Sequence, residues 1–101
     1  MPTYLVASIT VDDPETYSRY TQGTPEAIRR HGGRFLVRGG EVTVKEGEPA
    51  LDRVVVVEFP DRESFERFYE SPEYKDLRVI RQSASRGWLV GVEGVTDDGT
   101  K

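Results

Sequence analysis

The chain has no cysteine, one histidine, one tryptophan and one methionine in 101 residues. Without cysteine it forms no disulfide, holds no metal through thiolate and runs no thiolate chemistry. A lone histidine with no cysteine also gives no recognisable zinc or transition-metal set, so no metal is expected. Positive charge is not in excess. Lys and Arg number 14 against 18 Asp and Glu, a formal net charge of -4, which disfavours a nucleic-acid partner. No apolar run approaches the roughly 20 residues of a bilayer span, so no membrane partner is expected. The opening Met1-Pro2-Thr3-Tyr4-Leu5-Val6 lacks the basic and long apolar segments of a signal peptide, and a cytoplasmic protein is expected. Two motifs are missing as well. No serine carries a nucleophile motif, and Gly39-Gly40 follows a strand without opening a helix, so it is no phosphate cradle.

What is present is periodicity. The hydrophobic fraction is only 36% against 32% charged, yet the apolar residues fall into regular runs, which marks a folded single domain rather than a disordered chain. From Tyr4 to Val11, Leu5, Ala7, Ile9 and Val11 alternate with Tyr4, Val6, Ser8 and Thr10, a strand with one core face and one mixed face. Asp13-Pro14-Glu15 is a helix start, followed by the stripe Tyr17, Tyr20, Thr24, Ala27, Ile28 and His31. Gly23 and Pro25 predict a bend or break in that helix, and Gly32-Gly33 ends it. Arg34 to Arg38 is a second strand, broken or bulged at Gly39-Gly40. Glu41-Val42-Thr43-Val44 is expected as a short extension and Lys45 to Pro49 as a turn. Arg53 to Phe59 is a third strand. Pro60-Asp61 opens a helical region with Phe65, Phe68 and Tyr69 on one face, and Ser71-Pro72-Glu73 restarts it with Tyr74, Leu77, Ile80 and Ala84. Gly87 leads into a last strand, Trp88 to Val92. Residues 1–95 are expected to form one domain and 96–101 a flexible, polar tail.

Strand, helix, strand, strand, helix, strand is the split βαβ order of a ferredoxin-like α+β sandwich, an antiparallel four-stranded sheet with helices on one face. Its other face then carries Val6, Leu36, Val54 and Val56. Such an apolar face is unusual on a monomer and predicts a homodimer with sheet facing sheet.

The stretches Tyr4-Leu5-Val6, Asp13 to Tyr17, His31 to Gly40, Val55 to Pro60 and Ser71 to Tyr74 together resemble the "domain of unknown function 1330" family of the dimeric α+β barrel superfamily. The resemblance implies a ferredoxin-like protomer, a homodimer and no established general activity. Its superfamily includes cofactor-free monooxygenases, lactone isomerases and haem-using enzymes. The haem-degrading members use an asparagine, a tryptophan and a histidine together. This chain has no asparagine, and no cofactor is expected.

Seven residues are candidates for chemistry. His31 is the only side chain whose ordinary pKa lies near neutrality; it reads as a general acid or base at a pocket rim or as a helix C-cap. Arg34, Arg38 and Glu58 fall on one sheet face if the second and third strands pair regularly. They read as a structural Arg–Glu pair or as an anion site, with either arginine able to meet Glu58. Tyr4 and Ser8 on the mixed face, and Trp88, are candidate pocket lining. Two functions compete: a small cofactor-free enzyme, monooxygenase- or isomerase-like, acting on a small organic molecule that is anionic in the sharper reading, and a non-catalytic dimeric small-molecule-binding or accessory module.

Overall fold

The computed structural model describes residues 1–95, so the expected tail at 96–101 lies outside the described residues. Four strands, β1 (Thr3–Val11), β2 (Arg34–Arg38), β3 (Arg53–Phe59) and β4 (Ser85–Glu93), form one antiparallel sheet in the order β2-β3-β1-β4. Helices α1 (Pro14–Arg30), α2 (Arg62–Glu70) and α3 (Pro72–Ala84) supply the two crossovers. This is the expected split βαβ fold, its second crossover divided at Ser71.

Strand parity decides the layers. Leu5, Ala7 and Ile9 of β1 and Val57 and Phe59 of β3 are buried with Tyr17, Tyr20, Ala27, Ile28, Phe65, Phe68 and Tyr74 of the helices. The aromatic members pack edge-on or tilted, with Phe68 and Tyr74 ring centres 4.3 Å apart, a geometry that adds to the area they bury. The alternate residues face away from the helices. There Val37, Val90, Val92 and Trp88 remain exposed, and Val6, Val54 and Val56 are half-buried.

The helix ends are specified locally. The Asp13 carboxylate accepts from the Thr16 N–H (3.2 Å) and the Thr16 hydroxyl (2.7 Å). Asp61 accepts from the Ser64 N–H, and Ser71 both ends α2 and caps α3. At the far end of α1, the Gly32 and Gly33 N–H groups bond to the Arg29 and Ile28 carbonyls, with Gly32 at φ +78°. That is a left-handed helix stop.

Three expectations need correction, and one feature is additional. First, α1 runs unbroken through Gly23 and Pro25. Gly23 faces Leu77 of α3 so closely that a Cβ would lie 2.7 Å from it, and the proline's defect is repaired from outside the helix, as described below. Second, Glu41 to Val44 form no strand: with no neighbour beyond β2 to pair with, the edge of the sheet ends there. Third, β4 begins at Ser85, and Gly87 lies inside it. At φ +146° and pressed against the Ser8 carbonyl, it is a position where only glycine lets the two strands approach. The strand break expected at Gly39-Gly40 is there, β2 ending at Arg38 with Gly39 at φ +73°, and β2 carries in addition a bulge between Phe35 and Val37.

Candidate functional site

The bulge in β2 separates the two candidate arginines. Arg34 lies opposite Glu58, and Phe35 opposite Val57; then Leu36 is skipped, so Val37 meets Val56 and Arg38 meets Val55. One extra residue reverses the alternation beyond it. Arg34 therefore stays on the open face with Glu58, and Arg38 crosses to the helix side. The expectation of both arginines on one face is overturned by that single inserted residue.

On the open face the Arg34 Nε donates to Glu58 (2.8 Å), and the Tyr4 hydroxyl donates to the same carboxylate (3.2 Å). The hydrogen bond from Arg34, helped by that from Tyr4, holds the Glu58 carboxyl below its usual range, and Glu58 in turn raises the Tyr4 phenol. Ser8 shares this face, where its hydroxyl accepts from the Asp52 N–H (3.1 Å). Trp88 lies opposite Ser8 and is 44% exposed; it borders a groove beside β4 that Arg81 and Leu89 also line. Tyr4, Ser8, Arg34 and Glu58 line none of the cavities described below.

His31 is the C-cap of α1. Its Nδ1 is 2.9 Å from the Ala27 carbonyl and 3.9 Å from a Glu73 carboxylate oxygen, and its ring stands edge-on to Phe68. It borders none of the cavities. Of its two readings the helix C-cap is the one the Ala27 contact fits, while Phe68 and Glu73 reach the ring from α2 and α3.

Arg38 has a different task. Pro25 has no N–H, so the carbonyl four residues earlier, that of Thr21, loses its helical partner. The Arg38 guanidinium donates to that carbonyl (3.1 Å) and lies 4.6 Å over the Phe35 ring. A strand thus repairs a helix, and the repair fixes Arg38 at the edge of the space between sheet and helices.

That space holds a cavity of about 30 Å³. Its apolar walls include Leu5, Ala7, Ile9 and Val57 of the sheet and Ile28 and Phe68 of the helices, and its polar groups are Tyr17, Tyr20, Thr21, Thr24, Arg38, Arg53 and Arg81. It adjoins an open mouth of about 490 Å³ between Val11, Pro14 and Ser18, and the two share Tyr17, Thr21, Arg38 and Arg53. Arg53 lies across Gly39, where any Cβ would strike its guanidinium. The Tyr20 and Tyr74 hydroxyls share a hydrogen bond of 2.7 Å. Burial pushes the Tyr17 and Tyr20 phenols up, with the Arg53 and Arg81 charges partly opposing. Both phenols are neutral hydrogen-bonding groups at pH 7.

Sequence reasoning missed Arg53 and Arg81, although both sit on apolar stripes. Arg53 precedes Val55, Val57 and Phe59 at period two, and Arg81 falls between Leu77 and Ala84 at helical spacing. A charged residue at a core position was the available signal.

The family described as a domain of unknown function (DUF1330) matches residues 2–95. The chain belongs to this family. No curated protein matches it in sequence. Among solved structures the DUF1330 chain is similar to a protein of unknown function from Rhodopseudomonas palustris, at 18% identity and TM-score 0.74 over 94% of this chain and 83% of that one. It is similar to SnoaB, a cofactor-independent oxygenase from Streptomyces nogalater, at 16% identity and TM-score 0.62 over 94% of each chain. A candidate antibiotic biosynthesis monooxygenase from Nitrosomonas europaea matches at 19% identity and TM-score 0.61, over 95% of this chain and all of that one. At these identities the likeness is one of fold: the DUF1330 chain shares the ferredoxin-like α+β architecture of these proteins.

Proposed function

We propose that this DUF1330 protein is a homodimeric α+β barrel that takes a small organic molecule into the space between its sheet and α1. The observation that carries the reading is an apolar interior cavity that adjoins an open mouth and shares with it the lining residues Tyr17, Thr21, Arg38 and Arg53. Ala7, 3% exposed, forms part of the cavity wall, and Ala7→Val adds two methyl groups there. Calorimetric titration with the uncharged probe 2-naphthol is expected to show binding to the natural protein and weaker binding to Ala7→Val, with both proteins folded by circular dichroism. Equal binding by both would remove the cavity from the reading.

The dimer rests on the open sheet face, whose exposed Val37, Val90, Val92 and Trp88 form an apolar surface of the kind a second copy covers. Sedimentation is expected to give twice the 11.4 kDa chain mass, and Val90→Asp to give monomer. A monomeric natural protein at micromolar concentration would refute it.

The likeness to a cofactor-independent oxygenase favours turnover as a second reading. Oxygen uptake by hydroxynaphthalenes in metal-free buffer should then rise with protein concentration. Binding without uptake is the outcome that assigns the protein as a binding module.

A further inference from the structure

Three arginines run from rim to interior along this space: Arg38 exposed, Arg53 half-buried and Arg81 only 8% exposed. Among the described residues none of the three makes an ion pair, and no carboxylate lines the cavity or its mouth. The Nε atoms of both Arg53 and Arg81 are buried without a hydrogen-bond partner. A buried guanidinium carries up to five donors and no acceptor, and leaving it unpaired in an apolar setting is costly. Elsewhere several arginines are matched by carboxylates: Arg34 by Glu58, Arg86 by Asp12, Arg29 and Arg30 by Glu26. The cations of this space are set into a chain of net charge -4. Arg38 is already engaged at the Thr21 carbonyl and Arg53 reaches the Tyr17 hydroxyl, which leaves the unpartnered Nε–H groups of Arg53 and Arg81 as donors.

We propose that the cavity is a carboxylate site, in which Arg53 and Arg81 take the headgroup of a small, apolar-bodied carboxylic acid and the mouth beside Tyr17 holds its body. The proposal rests on the small-molecule reading above and names the ligand class. The interior space of about 30 Å³ suits a headgroup and not a whole molecule, whereas the mouth is open and largely apolar. A planar carboxylate matches the guanidinium fork. A phosphate, more strongly hydrated, would want the backbone N–H groups of a nest, and the lining supplies side chains from separate elements instead. The same geometry implies that Arg81 is held for binding at the expense of stability.

The test uses the full chain with 4-phenylbutyrate and its neutral isostere 4-phenylbutanamide as probes, titrated by calorimetry. Variants are Arg81→Met, Arg53→Met and Arg81→Lys, with Arg34→Met, on the opposite sheet face, as control. The acid is expected to bind and the amide to bind about tenfold or more weaker. Arg81→Met and Arg53→Met should lose about tenfold or more in affinity for the acid, Arg81→Lys should lose less, and Arg34→Met should bind as the natural protein does. Without ligand, Arg81→Met should melt no lower than the natural protein, because it removes an unpaired buried charge. If acid and amide bind alike and the arginine variants change nothing, the carboxylate assignment falls and the cavity reading stands. If neither probe nor 2-naphthol binds, both fall. If Arg81→Met melts well below the natural protein or fails to fold, Arg81 is a structural residue and the assignment is overturned.

Discussion

Tyr20 and Tyr74 meet hydroxyl to hydroxyl inside the core, Tyr74 fully buried. Either hydroxyl alone would be an unsatisfied buried group. Tyr74→Phe is therefore expected to lose about 1–3 kcal/mol in urea denaturation, and the double Tyr20→Phe, Tyr74→Phe change to recover most of it. The Arg34–Glu58 pair predicts a pH effect. Its carboxyl is held below its ordinary 4.5 first by the Arg34 hydrogen bond, so the native state favours the charged form. Stability from this pair is complete above the unfolded value and is lost as pH falls through the lower folded one. Arg34→Met should therefore cost stability at pH 7 and flatten the loss on the acid side of pH 4.5, read from melting temperatures across that range. Residue identities alone showed that an arginine would meet Glu58. They did not show which, because the answer depends on register.

At the level of elements, the unbroken α1 and the bulged β2 explain each other. Pro25 orphans the Thr21 carbonyl, and the bulge brings Arg38 to the side of the sheet from which it reaches that carbonyl. Arg38→Met is expected to cost about 0.5–1.5 kcal/mol, the net range for a typical hydrogen bond. In a Pro25→Ala background, where an N–H at position 25 satisfies the carbonyl, the cost should shrink toward zero. A double-mutant cycle by chemical denaturation measures the difference, and strict additivity would contradict the account. The elements themselves were legible: Asp13-Pro14, Gly32-Gly33 and Ser71-Pro72 mark boundaries that the helices observe. The strand beyond Gly39 was not, since alternation in Glu41 to Val44 cannot say whether a neighbouring strand is there to pair with. Nor was the survival of α1 past Pro25, which depends on a donor 13 positions further along the chain.

Taken whole, the molecule has two apolar surfaces that differ in kind. One is a broad open face, read from strand parity in β1 and β3 but not in β2, where the bulge puts Val37 on it and takes Arg38 away. The other is a narrow interior space whose polar lining comes from α1, β2, β3 and α3, and no local pattern announces a site assembled from four elements. His31, the residue whose chemistry looked most suggestive, sits at a helix end, while Arg53 and Arg81, spaced like core residues, reach the cavity. Trp88, the only tryptophan, lies on the open face opposite Ser8 and borders a groove that Arg81 also lines, so its fluorescence reports first on the open face. On dilution through the dimer dissociation range its emission should shift to the red. A cavity ligand added at constant protein concentration should shift it less than dilution does, and an equal or larger shift would show that the two surfaces are coupled through Arg81.

The skipped residue in β2 also bears on what the family can tolerate. Loss of one residue from the middle of a strand ordinarily turns every later side chain over. Here Leu36 has no partner across the ladder, and removing it leaves Arg34, Phe35, Val37 and Arg38 in regular alternation against Glu58, Val57, Val56 and Val55. The deletion should cost only the apolar area that Leu36 presents outward, and Arg38 should keep its hold on α1. A relative one residue shorter at this point can therefore carry the same interior, with the gap in its alignment falling at Leu36 and nowhere else in the strand.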